Sequence, residues 1–344
     1  MAYTTVNDPS VYFQTKIYTG NGTDGTAISG VGFQPDWIWI KERSSTSDHG
    51  LYDAVRGANK HLEANKTTAE DSATNQLSSF DTDGFTLGDS GLTNEDDETY
   101  VAWNWKANGS GSANTAGSIN TAATSANTTS GFSIITYTGN GSSGATIGHG
   151  LSTAPQAVFI KKRTAANWTV GHVGVGWNKN GKLNTVDSWG TSALSFNNTA
   201  PSTSLITLGS GDVANVSGGT YVCYAFSNIQ GFSKMGAYIG NNNVNGPFSY
   251  TGFKPAMVIF KDITGDRDWT MLDNKRNTFN VMDKRIFPNN NDAENDTDIL
   301  DFTSNGIKIK STNTSVNVSG NKYIYMAFAE NPFTSSTGTP VTAR

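Results

Sequence analysis

The chain has 344 residues, with 24 basic against 29 acidic side chains for a net charge of −5, and only 36% of it is apolar and 15% charged. Its 37 glycines, with much Ser, Thr and Asn, argue against long helical bundles and for short strands joined by many turns, an all-β fold. No cationic stripe marks a nucleic-acid groove, one cysteine excludes an internal disulfide framework or thiolate metal cluster, and no run approaches the roughly 18 apolar residues of a membrane span.

The opening Met1-Ala2-Tyr3-Thr4-Thr5 lacks the basic region and apolar core of a signal peptide, so synthesis in the cytoplasm is expected. Residues 1–15 form an N-terminal arm outside any repeat, expected either to dock on a neighbouring subunit or to fray. A first repeat, 16–106, opens with Ile17-Tyr18-Thr19-Gly20-Asn21-Gly22, passes Pro35 into Trp37-Ile38-Trp39-Ile40-Lys41, and closes with Tyr100-Val101-Ala102-Trp103-Asn104-Trp105. The post-proline run is apolar on both faces, which predicts a central strand covered on both sides. Gly20-Asn21-Gly22 suggests a phosphate cradle, but no helix follows it, and a type I′ hairpin turn is the expected reading.

Residues 107–130, all Gly, Ser, Ala, Asn, Thr and one isoleucine, have the composition of a flexible linker. The second repeat, 131–230, carries the same landmarks: Thr136-Tyr137-Thr138-Gly139-Asn140-Gly141, Pro155 followed by Gln156–Lys161, and Tyr221–Phe226. Its strands are expected to begin near Phe132, Gln156, Trp168, Lys182, Leu194, Ser204 and Thr220, enough for a two-sheet sandwich of jelly-roll or immunoglobulin-like type. Cys223 reads as a small buried hydrophobe. Gln230–Gly236 passes directly into the third repeat, 231–333, predicting a rigid pair. That repeat shows Ala237-Tyr238-Ile239-Gly240-Asn241-Asn242, then Pro255–Lys261, then Tyr323–Phe328, before a C-terminal tail at 334–344. Three related β-sandwich domains in tandem are the expected organisation.

Chemistry is sparse. His49, His61, His149 and His172 have no partners at metal-binding spacing, and neither a nucleophile elbow nor a Walker loop occurs, so no catalytic residue, metal or cofactor is assigned. Asp81-Thr82-Asp83-Gly84 resembles the start of a calcium loop, yet its counterpart Thr303-Ser304-Asn305-Gly306 lacks the acids. Acidic runs at Glu95-Asp96-Asp97-Glu98 and around Glu294 and Asp296 read as solvated loops, with a glycosidase-like carboxylate pair as the sharper alternative. Asp53 and Arg56 match Asp273 and Arg276, whereas the second repeat has His172 at the Asp position; these are read as structural ion pairs. Trp168 and Trp269 align, with His49 in their place in the first repeat, and Trp177 and Trp189 lie in loop-like sequence. Such indoles either stack on a glycan or partner, or plug the ends of the sandwiches.

The Tyr-Thr-Gly-Asn-Gly openings, the Lys-ended strand after proline, Asp273-Asn274-Lys275-Arg276-Asn277 and the ending Ala327-Phe328-Ala329-Glu330-Asn331-Pro332-Phe333 resemble repeat-bearing structural proteins of marine tailed phages such as cyanophages and pelagiphages. The resemblance spans Tyr12 to Arg344. It implies a tail-fibre-like virion protein, not an enzyme, that contacts the host surface through loops. Its partners would be other virion proteins and a host glycan or outer-membrane component, without nucleic acid or membrane insertion. Phage appendages are symmetric, so a homo-oligomer is implied, with a trimer favoured. The alternatives are a head decoration, knob or adaptor protein, and a polysaccharide depolymerase.

Overall fold

The computed structural model describes residues 3–341. The protein is all-β, its sheets are antiparallel, and every helix among the described residues is three or four residues long. Each repeat builds an inner sheet of the same order: opening strand, closing strand, post-proline strand, and the strand that follows it. In the first unit these are Phe13–Thr19, Thr99–Trp105, Trp37–Glu42 and Gly50–Asp53, extended by Lys60–Glu63 and Asp71–Ser72. In the second they are Phe132–Thr138, Thr220–Ser227, Pro155–Lys162 and Thr169–His172; in the third, Ser233–Ile239, Lys322–Pro332, Phe253–Asp262 and Thr270–Asp273.

A second, outer sheet covers each inner sheet. It has three strands in the first unit, two in the second (Thr146–Gly148 and Leu205–Thr207) and four in the third. Strand alternation sorts the side chains of the inner sheet. Ile38 and Ile40 face the first unit's outer sheet in a private core, as do Val158 and Cys223 in the second unit and Val258 and Phe260 in the third. The opposite faces, with Trp37, Trp39, Trp103 and Trp105 from the first unit, merge with those of the other two units into a single shared core. Register against the closing strand makes Trp105, Phe226 and Phe328 equivalent. Their rings meet pairwise with centroids 6.5, 5.5 and 5.8 Å apart, which marks a pseudo-threefold axis inside one chain.

Several expectations are corrected. The 107–130 segment is ordered: Ser112–Asn114 pairs with Thr121–Asn127, which adds to the edge of the second inner sheet beside Phe132–Thr138. A neighbouring strand edge supplies the backbone partners that its small polar side chains cannot. The strand expected near Lys182 is a two-residue piece at Lys179–Asn180, and the one near Leu194 is a single helical turn, Ala193–Phe196. The Gly-Asn-Gly segments are not hairpin turns, because the strands on either side of them lie in different sheets. They are corners, each pinned by an asparagine that ends a short helix. Asn94 accepts from Asn21 N at 3.0 Å, Asn215 from Asn140 N at 2.9 Å and Asn317 from Asn241 N at 2.8 Å. A Cβ on Gly20, Gly139 or Gly240 would stand 2.1, 2.5 or 2.2 Å from a backbone oxygen, so only glycine fits.

The N-terminal arm docks on its own chain. Tyr3 donates to the carbonyl of Gly252 in the third unit and Thr4 to that of Gln230 where the second unit passes into the third, Val6 enters the shared core, and Asn7 exchanges two hydrogen bonds with Ser336 of the tail.

Candidate functional site

The charged residues singled out by the sequence lie in the seams between units. At the seam of the second and first units, Arg56 Nε meets Asp53 Oδ2 at 2.5 Å and its Nη1 meets Glu70 at 3.2 Å. Arg163 then grips Glu70 with two bonds of 2.8 and 2.6 Å, and the Tyr224 hydroxyl donates to Asp53 at 2.6 Å. The seam of the first and third units repeats this constellation. Arg276 holds Asp273 at 2.6 Å and Glu294 at 3.0 Å, Arg43 forks onto Glu294, and Trp103 Nε1 donates to Asp273 at 3.1 Å. All four side chains of the Asp–Arg pairs are fully buried, and each pair lies within one unit where side chains of the next unit reach its cluster. Burial opposes ionisation of Glu70 and Glu294, but the flanking guanidiniums outweigh it and hold both carboxyls below their usual range.

The third seam carries the same backbone with side chains that bear no charge. Glu70 N donates to Arg163 O and Glu294 N to Arg43 O; here Trp189 N donates to Ile263 O. The positions of Asp, Arg, Glu, Arg and the closing-strand donor are filled by His172, Val175, Trp189, Ile263 and Met326. Five positions have changed together. That is the expected outcome when a buried ionic cluster is exchanged for apolar packing as a whole, since losing one member would strand a charge.

A second ring of contacts runs through all three seams. His49 Nε2, Trp168 Nε1 and Trp269 Nε1 each donate to a carbonyl of the next unit, those of Phe287, Glu63 and Lys182, at 3.0, 2.8 and 3.0 Å. In each unit the lysine next to the end of the post-proline strand, Lys41, Lys161 or Lys261, is buried with its ammonium on backbone carbonyls, and burial pushes each down to about 8.

The four tryptophans, read from sequence as either ligand-stacking or end-plugging, are turned inward. Trp168 and Trp269 lock seams, Trp189 packs on Trp269, and Trp177 packs edge-on against Phe196 in the second unit's private core. Their loops are rich in Gly and Asn because the rings need close backbone approach: a Cβ on Gly181 would collide with Trp189. Glu95, Asp96 and Asp97 are exposed, Glu294 belongs to a seam, and Asp296 pairs with Lys284 on the surface. Asp83 accepts from the amides of Gly30 and Gly32, tying a loop. Glu70, Arg163, Tyr224, Arg43 and Trp103 were missed by sequence reasoning. Arg43 and Arg163 do follow the repeated lysine by two positions, but Glu70 and Glu294 sit in loops of different length that self-comparison cannot align.

Open clefts lie on the second and third units. The cleft of the second, about 310 Å³, lies beside the short Ala193–Phe196 helix of the unit with the fewest outer strands. Asn167, Asn180 and Ser195 line it, with the Lys182–Asp187 ion pair at its rim. A family model described as a domain of unknown function, DUF7483, matches residues 8–332. The chain belongs to the DUF7483 family. The match runs from the arm to the end of the last closing strand, so the DUF7483 unit is the whole three-unit body and not one repeat. No curated protein and no solved structure matches the chain.

Proposed function

We propose that this DUF7483 protein is a structural component of a tailed-phage virion, a rigid knob on a tail-associated appendage that contacts the host surface and carries out no catalysis. The observation that carries the reading is the closed pseudo-threefold body. Its charged clusters are fully committed to seams, and its arm and tail meet at one place through Asn7 and Ser336. A body tied into one piece and anchored where its two ends meet suits mounting on a larger assembly. The phage resemblance supplies the particle.

Locating the chain in purified particles by cryo-electron microscopy, with copy number, tests this. Copies at the tail with loops outward are expected. Copies spread over the head would replace the appendage by a head decoration or adaptor. Absence from washed particles would overturn both.

A further inference from the structure

A cleft of about 300 Å³ lies where the N-terminal arm crosses the third unit, lined by Tyr3, Asn228, Gln230, Lys234, Tyr250 and Thr251. Tyr250 is 54% exposed, and Phe248, 48% exposed, precedes it by two on the same strand and so shares its face. Tyr3 fixes this wall: its hydroxyl lies 3.2 Å from that of Tyr250 and donates to Gly252 O at 2.7 Å, while its ring packs edge-on against Phe333. Among the described residues Asn228 uses only its carbonyl oxygen, accepting from Met235 N, so that its NH2 has no partner there. Lys234 has no carboxylate within ion-pair distance among the described residues, and no acid lines the cleft; nearby Lys254, by contrast, is paired with Glu330.

The other two units show that the fold does not require these groups. In the outer strands the outward positions matching Phe248 and Tyr250 are Ala27 and Ser29 in the first unit and Thr146 and Gly148 in the second. The position of Lys234 is Gln14 in one and Ser133 in the other. Two exposed aromatic rings and an unpaired ammonium have thus been placed together in the one unit that the arm covers. Exposed aromatic surface of this kind marks contact with something outside the chain.

We propose that this cleft binds an acidic saccharide. A pyranose ring presents an apolar C–H face that stacks on Tyr250, with Phe248 roughly 7 Å further along to take the next ring. The Asn228 amide serves a ring hydroxyl, and the Lys234 ammonium takes the carboxylate in a charge-assisted bond. The cleft volume is at the lower end of the range for ligand pockets and suits one or two sugar residues. The biological role of the site rests on the host-contact reading; its chemistry does not.

The test is calorimetric titration of the intact chain with tetramers of galacturonic, glucuronic and mannuronic acid, each beside a neutral tetramer of matched linkage. At least one acidic tetramer is expected to bind, at least tenfold more tightly than its neutral counterpart. Tyr250→Ala should weaken binding tenfold or more. Lys234→Gln should abolish the preference for acid and the salt dependence, with the thermal midpoint nearly unchanged in both variants because Tyr250 is exposed and the half-buried Lys234 has no carboxylate within ion-pair distance among the described residues. Failure of every acidic tetramer to bind, or affinity unaltered by Tyr250→Ala, overturns the site. Binding by a chain absent from virions would sink the particle reading and leave this one standing; a chain in virions that binds no acidic tetramer would do the reverse.

Discussion

His49 stands where the other two units have Trp168 and Trp269, and its ring is held from both sides. Nδ1 accepts from Trp39 Nε1 at 2.8 Å, which makes Nε2 the donor to Phe287 O. His172 has the same neutral tautomer, accepting from Gly174 N and donating to Tyr325 O. Trp39 is equivalent to Phe159 and Ile259, so the indole donor and the imidazole acceptor occur together in the one unit that has either. His49→Trp should therefore cost about 1–3 kcal/mol by stranding Trp39 Nε1. Adding Trp39→Phe, the pairing already present as Phe159 with Trp168, should recover most of it. Urea denaturation of the two single variants and the double would show this as strong non-additivity; simple addition of the two losses would refute it.

The same two histidines contribute to an acid limit, together with His61, which burial pushes down to about 4, and His149, which burial also lowers. Burial pushes His49 down to about 3 and His172 to about 4, below the ordinary 6.5. Between those values the unfolded chain binds protons that the folded chain does not. Their contribution is complete above pH 6.5 and is lost as pH falls to about 3–4, at most roughly 3–5 kcal/mol per histidine. A stability profile from pH 7 to 4 should fall throughout that window, and His49→Trp/Trp39→Phe should flatten it. An unchanged slope would show that other groups dominate.

At the scale of elements, the corner built on the terminal asparagine of a short helix recurs in all three units. Asn215 accepts from Asn140 N and donates to Ser142 O and Gly209 O, while Tyr221 caps the same turn by accepting from Val216 N and donating to Asp212 O. Asn215→Ala leaves these backbone groups buried without partners and should cost about 3 kcal/mol. Asn215→Asp keeps the acceptor and loses the donors, so its thermal midpoint should fall between alanine and parent.

The inner-sheet strands were legible in sequence because both faces are apolar and the landmarks repeat; Trp37–Glu42 is buried along its whole length. The corner was not legible. Asn-Gly has the composition of a hairpin turn, and only the tertiary position of Asn94, more than 70 residues away in the chain, makes it a sheet-to-sheet crossing. The 107–130 segment escaped for a related reason: Ser125 is fully buried and accepts from Asn108 N, and its order comes from a sheet edge rather than from its own side chains. Trp177 and Trp189 stand among turn residues because large rings need small neighbours, a pattern that sequence shares with a binding loop.

For the whole molecule, the shared core means that no unit can leave without exposing the axis rings of the other two. Trp105, Phe226 and Phe328 each contribute to a layer that one unit cannot close. Calorimetry should accordingly show one cooperative transition rather than three, and the 16–106 segment alone should not fold. The seams offer a sharper test of how that unity is held. Asp53→Ala removes the nearest carboxylate from the fully buried Arg56, leaving it Glu70 alone, and takes the acceptor from the Tyr224 hydroxyl; it should cost about 3–5 kcal/mol. The exchange D53H/R56V/E70W/R163I/Y224M installs the set that the chain already uses between its second and third units. It should return stability to within about 2 kcal/mol of the parent, because no charge is then left without its counterpart. It should also remove the acid sensitivity contributed by Glu70 below its ordinary range. A fivefold variant as unstable as Asp53→Ala would mean that the backbones of the two seams differ more than their hydrogen bonds indicate, and that the polar seam is needed for the register of the units and not only for their cohesion.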